Sequence, residues 1–249
     1  MSTLIPWRSC FWTRETSSPD AAFADSVLRW PPTEVQQLAV VGCDNSGSTH
    51  SSGAMEVLRK ATPKFIEDLC RDPATRSSLL ATFSVFNDSD SWNITAPFCP
   101  VLELVPPQFS PTGSTPWCKR VIESIKLLSA RRQLVRSLFK VDQRHAWLVE
   151  ATDGYFSDCE RLDEARHAIQ VAAVEAGIEV YLFGMGEGAN MSLLQSLAQP
   201  ERPAELLRSD RDFAALFKWV STSLKITSQS IAGQIIEIPS ITGQLIRTE

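Results

Sequence analysis

Short apolar runs of strand length alternate with amphipathic helical stretches along most of this 249-residue chain, and that alternation leaves few architectures open. Leu38 to Cys43 is continuously apolar, as a strand covered on both faces must be. Leu79 to Phe86, His145 to Ala151 and Ile178 to Phe183 read as further strands, with a short last one near Glu205 to Leu207. Between them Met55, Leu58, Thr62, Phe65 and Leu69 recur at spacings of three and four, the period of a helix with one buried face. Pro63 falls inside that pattern and is expected to kink or break it. Val121, Ile125, Leu128, Val135 and Leu138 mark a long helix opening at Pro116, and Leu162, Ala165, Ile169, Ala172 and Ala173 one stopped by Gly177. A short helix holds Leu193, Leu194 and Leu197, and a terminal one spans Phe213 to Leu224. Trp92 to Phe98, reached through the polar turn Asn87 to Asp90, is expected as an antiparallel edge strand. Alternating βα units imply an α/β fold: a doubly wound, mostly parallel central sheet with one antiparallel edge strand and helices on both faces.

The chain is long enough for one substantial core. Apolar residues make up 43% and charged residues 21%, a globular composition. The net charge of −5 argues against nucleic acid as the main partner, because phosphate binding is driven by basic charge. No apolar run approaches the ~18 residues of a membrane span, and the start of the chain lacks the apolar middle of a secretory signal. The six cysteines are scattered without Cys-x-x-Cys spacing, which disfavours zinc; a reducing cytoplasm is the expected location. Residues 1–34 form an extension in which Trp7, Phe11 and Trp12, with a short helix from Pro19 to Trp30, are expected to pack on the domain. Residues 35–224 form that domain. Residues 225–249, rich in Ser, Thr, Gln and Ile, are either a tail or a partner-docking arm.

Asp44-Asn45-Ser46-Gly47-Ser48 follows the first apolar run directly. One carboxylate and two hydroxyls thus leave the end of a buried strand together, an oxygen-only set suited to a hard divalent cation such as Mg²⁺, with Mn²⁺ as the alternative. Thr115, in the turn Thr112-Gly113-Ser114-Thr115-Pro116, offers a third hydroxyl. Asp153, in Thr152-Asp153-Gly154 just past another apolar run, offers a second carboxylate. Each of these residues falls at the end of a strand or the start of a helix, and ligands of open α/β sheets bind beyond the carboxyl ends of the strands.

Taken in order, Asp44, Ser46, Ser48, Thr115 and Asp153 resemble the metal-ion-dependent adhesion site of von Willebrand factor A (VWA) domains over roughly Val35 to Leu224. The stretches Phe183 to Asn190 and Asp212 to Ser221 are similar to the bacterial tellurium-resistance-associated type. The resemblance implies a Mg²⁺-dependent protein-interaction module. A Glu or Asp of a partner protein would take the open position on the metal. It also implies a bacterial stress or conflict system that includes a protein kinase and a metal-dependent serine/threonine phosphatase.

Other chemistry is less well supplied. Gly42-x-x-x-x-Gly47-Ser48-Thr49 has P-loop spacing but no lysine at its seventh position. A D-x-D nucleophile would need a carboxylate where Ser46 stands. Hydrolysis by a metal-activated water and a metal-independent scaffold remain as alternatives; no general base is evident, so no catalysis is expected. Trp117, beside Thr115, is either an interface anchor or a core filler, and Asn45 and His50 in the first loop are further candidates for partner contact. Glu150 interrupts an apolar strand and calls for a nearby Arg or Lys. Lys119, Arg120, Lys126, Arg131, Arg132, Arg136 and Lys140 make the long helix basic, either a solvated face or a surface for an acidic partner.

Overall fold

The structure is a computed structural model and describes residues 29–30, 32–33, 36–47, 54–86, 93–94, 98–110, 112–141, 143–208, 210–229, 236–239 and 245–248. Strands β1 (Gln37–Asp44), β2 (Leu79–Phe86), β3 (Asn93–Ile94), β4 (Cys99–Pro100), β5 (Ala146–Thr152), β6 (Ile178–Met185) and β7 (Glu205–Leu207) build one sheet. Its order is β3-β2-β1-β5-β6-β7, with β4 also on β2. β1, β2, β5, β6 and β7 are parallel, while β3 and β4 run antiparallel to β2. The antiparallel edge strand expected over Trp92 to Phe98 is present at Asn93–Ile94, and β4 adds a second short antiparallel piece on β2. Phe98, just before β4, has a φ of 23°, and its ring is wholly buried beneath the guanidinium of Arg131, 5.3 Å from the ring centre.

Helices α1 (Ala54–Arg71), α2 (Pro73–Ser78), α3 (Trp117–Phe139), α4 (Leu162–Ala176), α5 (Met191–Leu197) and α6 (Asp210–Gln229) cover both faces. On one, Val41, Phe83, Trp147, Val149 and Phe183 pack against Leu58, Phe65 and Leu69 of α1 and Phe217, Trp219 and Val220 of α6. On the other, Leu38, Val40, Leu148, Val180 and Leu182 meet Val121 and Leu128 of α3, Ile169 of α4, and Leu194 and Leu197 of α5. Burial from both sides is why the strands read as unbroken apolar runs.

α1 continues through Pro63 without a break; Leu58, Phe65 and Leu69 on either side of it are locked in the core, and this packing outweighs the lost backbone bond. α2 has no counterpart in the periodicity. It is one and a half turns long and is set by Asp72, whose Oδ2 accepts from the backbone N (2.9 Å) and the hydroxyl (2.6 Å) of Thr75, an N-cap. α6 runs on to Gln229 because Thr227 is tied down, donating to Gln37 Oε1 at 2.5 Å. Beyond it β8 (Ile236–Pro239) and β9 (Leu245–Thr248) pair antiparallel as a separate two-stranded sheet, within the segment read as a tail or a partner-docking arm. The aromatic residues Trp7, Phe11 and Trp12 lie outside the described residues; Trp30 packs on the core. No helix among the described residues is long and apolar enough to cross a membrane.

Candidate metal centre

The sheet order reverses between β1 and β5: the chain leaves β1 toward β2 on one side and returns to β5 on the other. Crevices at such reversals, past the carboxyl ends of the strands, are where open α/β sheets bind ligands. Asp44 is the last residue of β1, and Asp153 is the first residue after β5.

Asp44 is wholly buried. Its Oδ1 accepts from the backbone N of Ser46 (3.0 Å) and its Oδ2 from the hydroxyl of Thr152 (3.0 Å), which in turn accepts from Gly154 N. Burial pushes Asp44 up to about 6; hydrogen bonds from Ser46 oppose the rise and the charge of Asp153 adds to it. The site thus disfavours the charged form of Asp44, a cost that a cation bound beside it would relieve. The Thr115 hydroxyl has no hydrogen-bond partner among the described residues, and Thr115 and Ser46 both line an open groove of about 430 Å³. Among the described residues no three His, Cys, Asp or Glu side chains gather as a metal site, so hydroxyls must complete the shell. That donor chemistry fits a hard, oxygen-seeking ion. Ser48 and His50 lie outside the described residues. Asp44, Ser46, Thr115 and Asp153 converge on one end of the sheet.

Main-chain bonds brace the loops that carry them. Gly47 N donates to Gly113 O (3.2 Å) and Thr112 N to Asn45 O (3.2 Å), joining the first loop to the Thr115 turn. Ser157 N donates to Thr115 O (2.9 Å) and Asn190 N to Asp153 O (2.9 Å). Asp158 is a capping residue that the sequence did not announce: it reaches across from another loop to accept from Cys118 N (3.1 Å) and Lys119 N (2.7 Å). It thus satisfies the first turn of α3 directly after Thr115. Thr152 escaped notice as well, because its role depends on a residue 108 positions away.

Several candidates are placed differently from the sequence expectation. Trp117 is wholly buried and stacked on Phe156, with ring centres 4.4 Å apart; it is a core residue and presents nothing to a partner. Asn45 is buried too, its side-chain nitrogen donating to Ser110 O (3.1 Å); it holds the loop. The exposed aromatic residue here is Tyr155, 62% accessible. Glu150 does not have a basic partner: among the described residues neither carboxyl oxygen has a hydrogen bond. Burial, with the nearby charge of Asp44, pushes it up to about 8, so it sits as a neutral acid. Its carboxyl fills the space over Gly42, where any Cβ would run into it. The basic series on α3 is not one face. Arg120 is buried and paired with Glu123 at 2.8 Å, Arg131 is buried and lowered to about 10 by that burial, and Arg132 bonds the carbonyl of Arg144. His145 is remote from the site, at the other end of the sheet, 3.4 Å from Glu179.

No protein-family model matches the sequence, and no curated protein does. Solved structures do. The von Willebrand factor domain of the type V pili tip protein Mfa5 from Porphyromonas gingivalis superposes with a TM-score of 0.51 at 9% identity, over 82% of this chain and 99% of that one. The pilus adhesin SpaC from Lactobacillus rhamnosus GG gives 0.55 at 12%, over 78% of this chain and 31% of that one. Proximal thread matrix protein 1 from the mussel byssus gives 0.50 at 15%, over 77% and 48%. The chain therefore spans less than half the length of the last two. At these identities the likeness is one of fold, which this chain shares with the von Willebrand factor domain of Mfa5.

Proposed function

We propose that this protein is a metal-dependent interaction module. A divalent cation, Mg²⁺ in the cell, is held by Asp44, Ser46, Ser48, Thr115 and Asp153 and binds a Glu or Asp side chain of a partner protein. The observation that carries this reading is the convergence of two carboxylates and two hydroxyls from three separate segments at the β1/β5 reversal, beside an open groove. Asp44 and Asp153 would balance the charge of the ion and the hydroxyls would supply neutral ligands, so what the protein leaves open is a coordination position rather than unbalanced charge. Mg²⁺ itself provides an exchangeable position, normally filled by water. Among the described residues the groove includes no His, Lys or Arg, which leaves no described cation to stabilise a leaving phosphate and favours binding over hydrolysis.

The finer reading is a cytoplasmic protein of a tellurium-resistance-like bacterial stress system, working with a protein kinase and a metal-dependent phosphatase. It is supported by the resemblance of Phe183 to Asn190 and Asp212 to Ser221. The five described cysteines, all free, accord with a reducing compartment. Titration calorimetry tests the core of the proposal. The wild type should bind one Mg²⁺ or Mn²⁺, and Asp44→Ala should bind it at least tenfold more weakly, the order of loss for a disturbed metal shell. Equal affinities in the two proteins would remove the site.

A further inference from the structure

The groove beside the candidate metal ligands has a composition of its own. It runs from Ser46 and Thr115 along the turn at Gly113 and Ser114, under the 154–157 loop, to Asn190 and Leu193 at the start of α5. None of its described lining residues is charged, in a chain with 53 charged residues, 24 basic and 29 acidic. Tyr155 stands at its rim, one of five large apolar side chains exposed among the described residues and the one that borders this groove. The ring is held in place. Tyr155 N donates to Asp153 Oδ1 (3.0 Å) and Tyr155 OH to Gly188 O (3.2 Å), while the next residue, Phe156, is clamped in the stack with Trp117. At the far end the side-chain oxygen of Asn190 accepts from Leu193 N (3.2 Å), which leaves its NH₂ group as a donor.

An exposed aromatic ring fixed at both ends loses little freedom when it is covered, the property that makes tyrosine a frequent hot spot. A charged side chain entering this groove would shed water and meet, among the described residues, hydroxyls, a thiol, rings and one carboxamide, with no opposite charge to pair with. An apolar side chain would gain contact with Tyr155, and the chain carrying it would find the Asn190 amide for a carbonyl. We propose that this groove seats an extended, uncharged segment of a partner protein adjoining the carboxylate on the metal, with an apolar or aromatic side chain of that segment against Tyr155. The inference rests on the metal-dependent reading above and adds the second half of the recognition element: an acidic residue with apolar, uncharged neighbours.

The test is selection of a displayed peptide library, randomised around a fixed Asp or Glu, on the full chain in millimolar Mg²⁺. Synthetic versions of the selected peptides are then titrated against the wild type, Tyr155→Ala, Tyr155→Phe and Asp44→Ala. The expected selection is enriched in aromatic and aliphatic residues next to the acid and depleted in charged ones. Tyr155→Ala should weaken binding by roughly tenfold or more, as loss of an aromatic hot spot does, with Mg²⁺ affinity and thermal melting as in the wild type. Tyr155→Phe, which keeps the ring, should stay much closer to the wild type. A selection with no apolar preference, charged residues enriched beside the acid, equal binding by Tyr155→Ala, or no selected peptide at all would each overturn the proposal. Peptide binding that persists in EDTA and in Asp44→Ala yet is lost in Tyr155→Ala would instead remove the metal reading and leave the groove.

Discussion

Glu150 shows what a single residue can do to a core. It sits on β5 with both carboxyl oxygens unpartnered, and it is accommodated sterically because Gly42 across the ladder has no side chain. Its folded-state value of about 8 lies above the ordinary 4.5, and Asp44, at about 6, lies above 3.8. For both groups the folded chain keeps a proton that the unfolded chain gives up. Their contribution to stability is therefore complete below the unfolded values and is lost as pH rises, through about 6 for Asp44 and about 8 for Glu150. Urea denaturation in EDTA should show the metal-free protein losing stability from pH 5 to pH 8, by roughly 3–4 kcal/mol for Glu150 alone. Glu150→Gln, which stays neutral, should flatten most of that slope; an unchanged slope would show that Glu150 ionises in place. The same proton on Asp44 competes with the cation, so Mg²⁺ affinity measured by calorimetry should drop as pH falls below about 6. At Thr115 the expected change is chemical: Thr115→Ala removes a hydroxyl that bonds no described residue and should lower Mg²⁺ affinity by roughly tenfold with little change in melting.

At the scale of elements, the strands and long helices were legible because burial writes a period into the sequence, and so was the placing of Asp44 and Asp153 at strand ends and of Thr115 at the start of a helix. What escaped was set by partners distant in sequence. α2 is a six-residue helix with no amphipathic repeat to read, and α3 takes its cap from Asp158, 40 residues downstream. The short β4, Cys99–Pro100, gave no signal because two residues show no alternation. Trp117 is the clearest case. Beside Thr115 it could face out or in, and only the position of Phe156 decides. The stack of Trp117 on Phe156 fixes the first turn of α3 to the loop that carries Asp153 and Tyr155. Trp117→Ala should cost about 3–5 kcal/mol, the range for large aromatic residues truncated in a core, read from the shift of the denaturation midpoint. A loss confined to partner binding, with stability unchanged, would return Trp117 to the surface.

For the whole molecule, the candidate ligands come from segments that lie far apart in the chain and meet only when the sheet is assembled. A cation on them binds the folded chain and not the unfolded one, so it should raise stability by RT ln(1 + [L]/Kd), about 2.7 kcal/mol when free Mg²⁺ is about 100 times its Kd. Thermal melts of the wild type should rise with Mg²⁺ and fall with EDTA. Asp44→Ala should respond to neither; a Mg²⁺-dependent rise that survives this substitution would place the ion elsewhere.

The loops that carry these ligands are held to one another through peptide groups: Gly47 to Gly113, Thr112 to Asn45, Ser157 to Thr115 and Asn190 to Asp153. Peptide groups are the one part of a protein that point mutation leaves in place. The scaffold of this centre is therefore inherited separately from the atoms it displays. A lineage carrying it can exchange a hydroxyl for a carboxylate, or lose one altogether, and so drift from one ion to another, or to none, while the loops keep their shape.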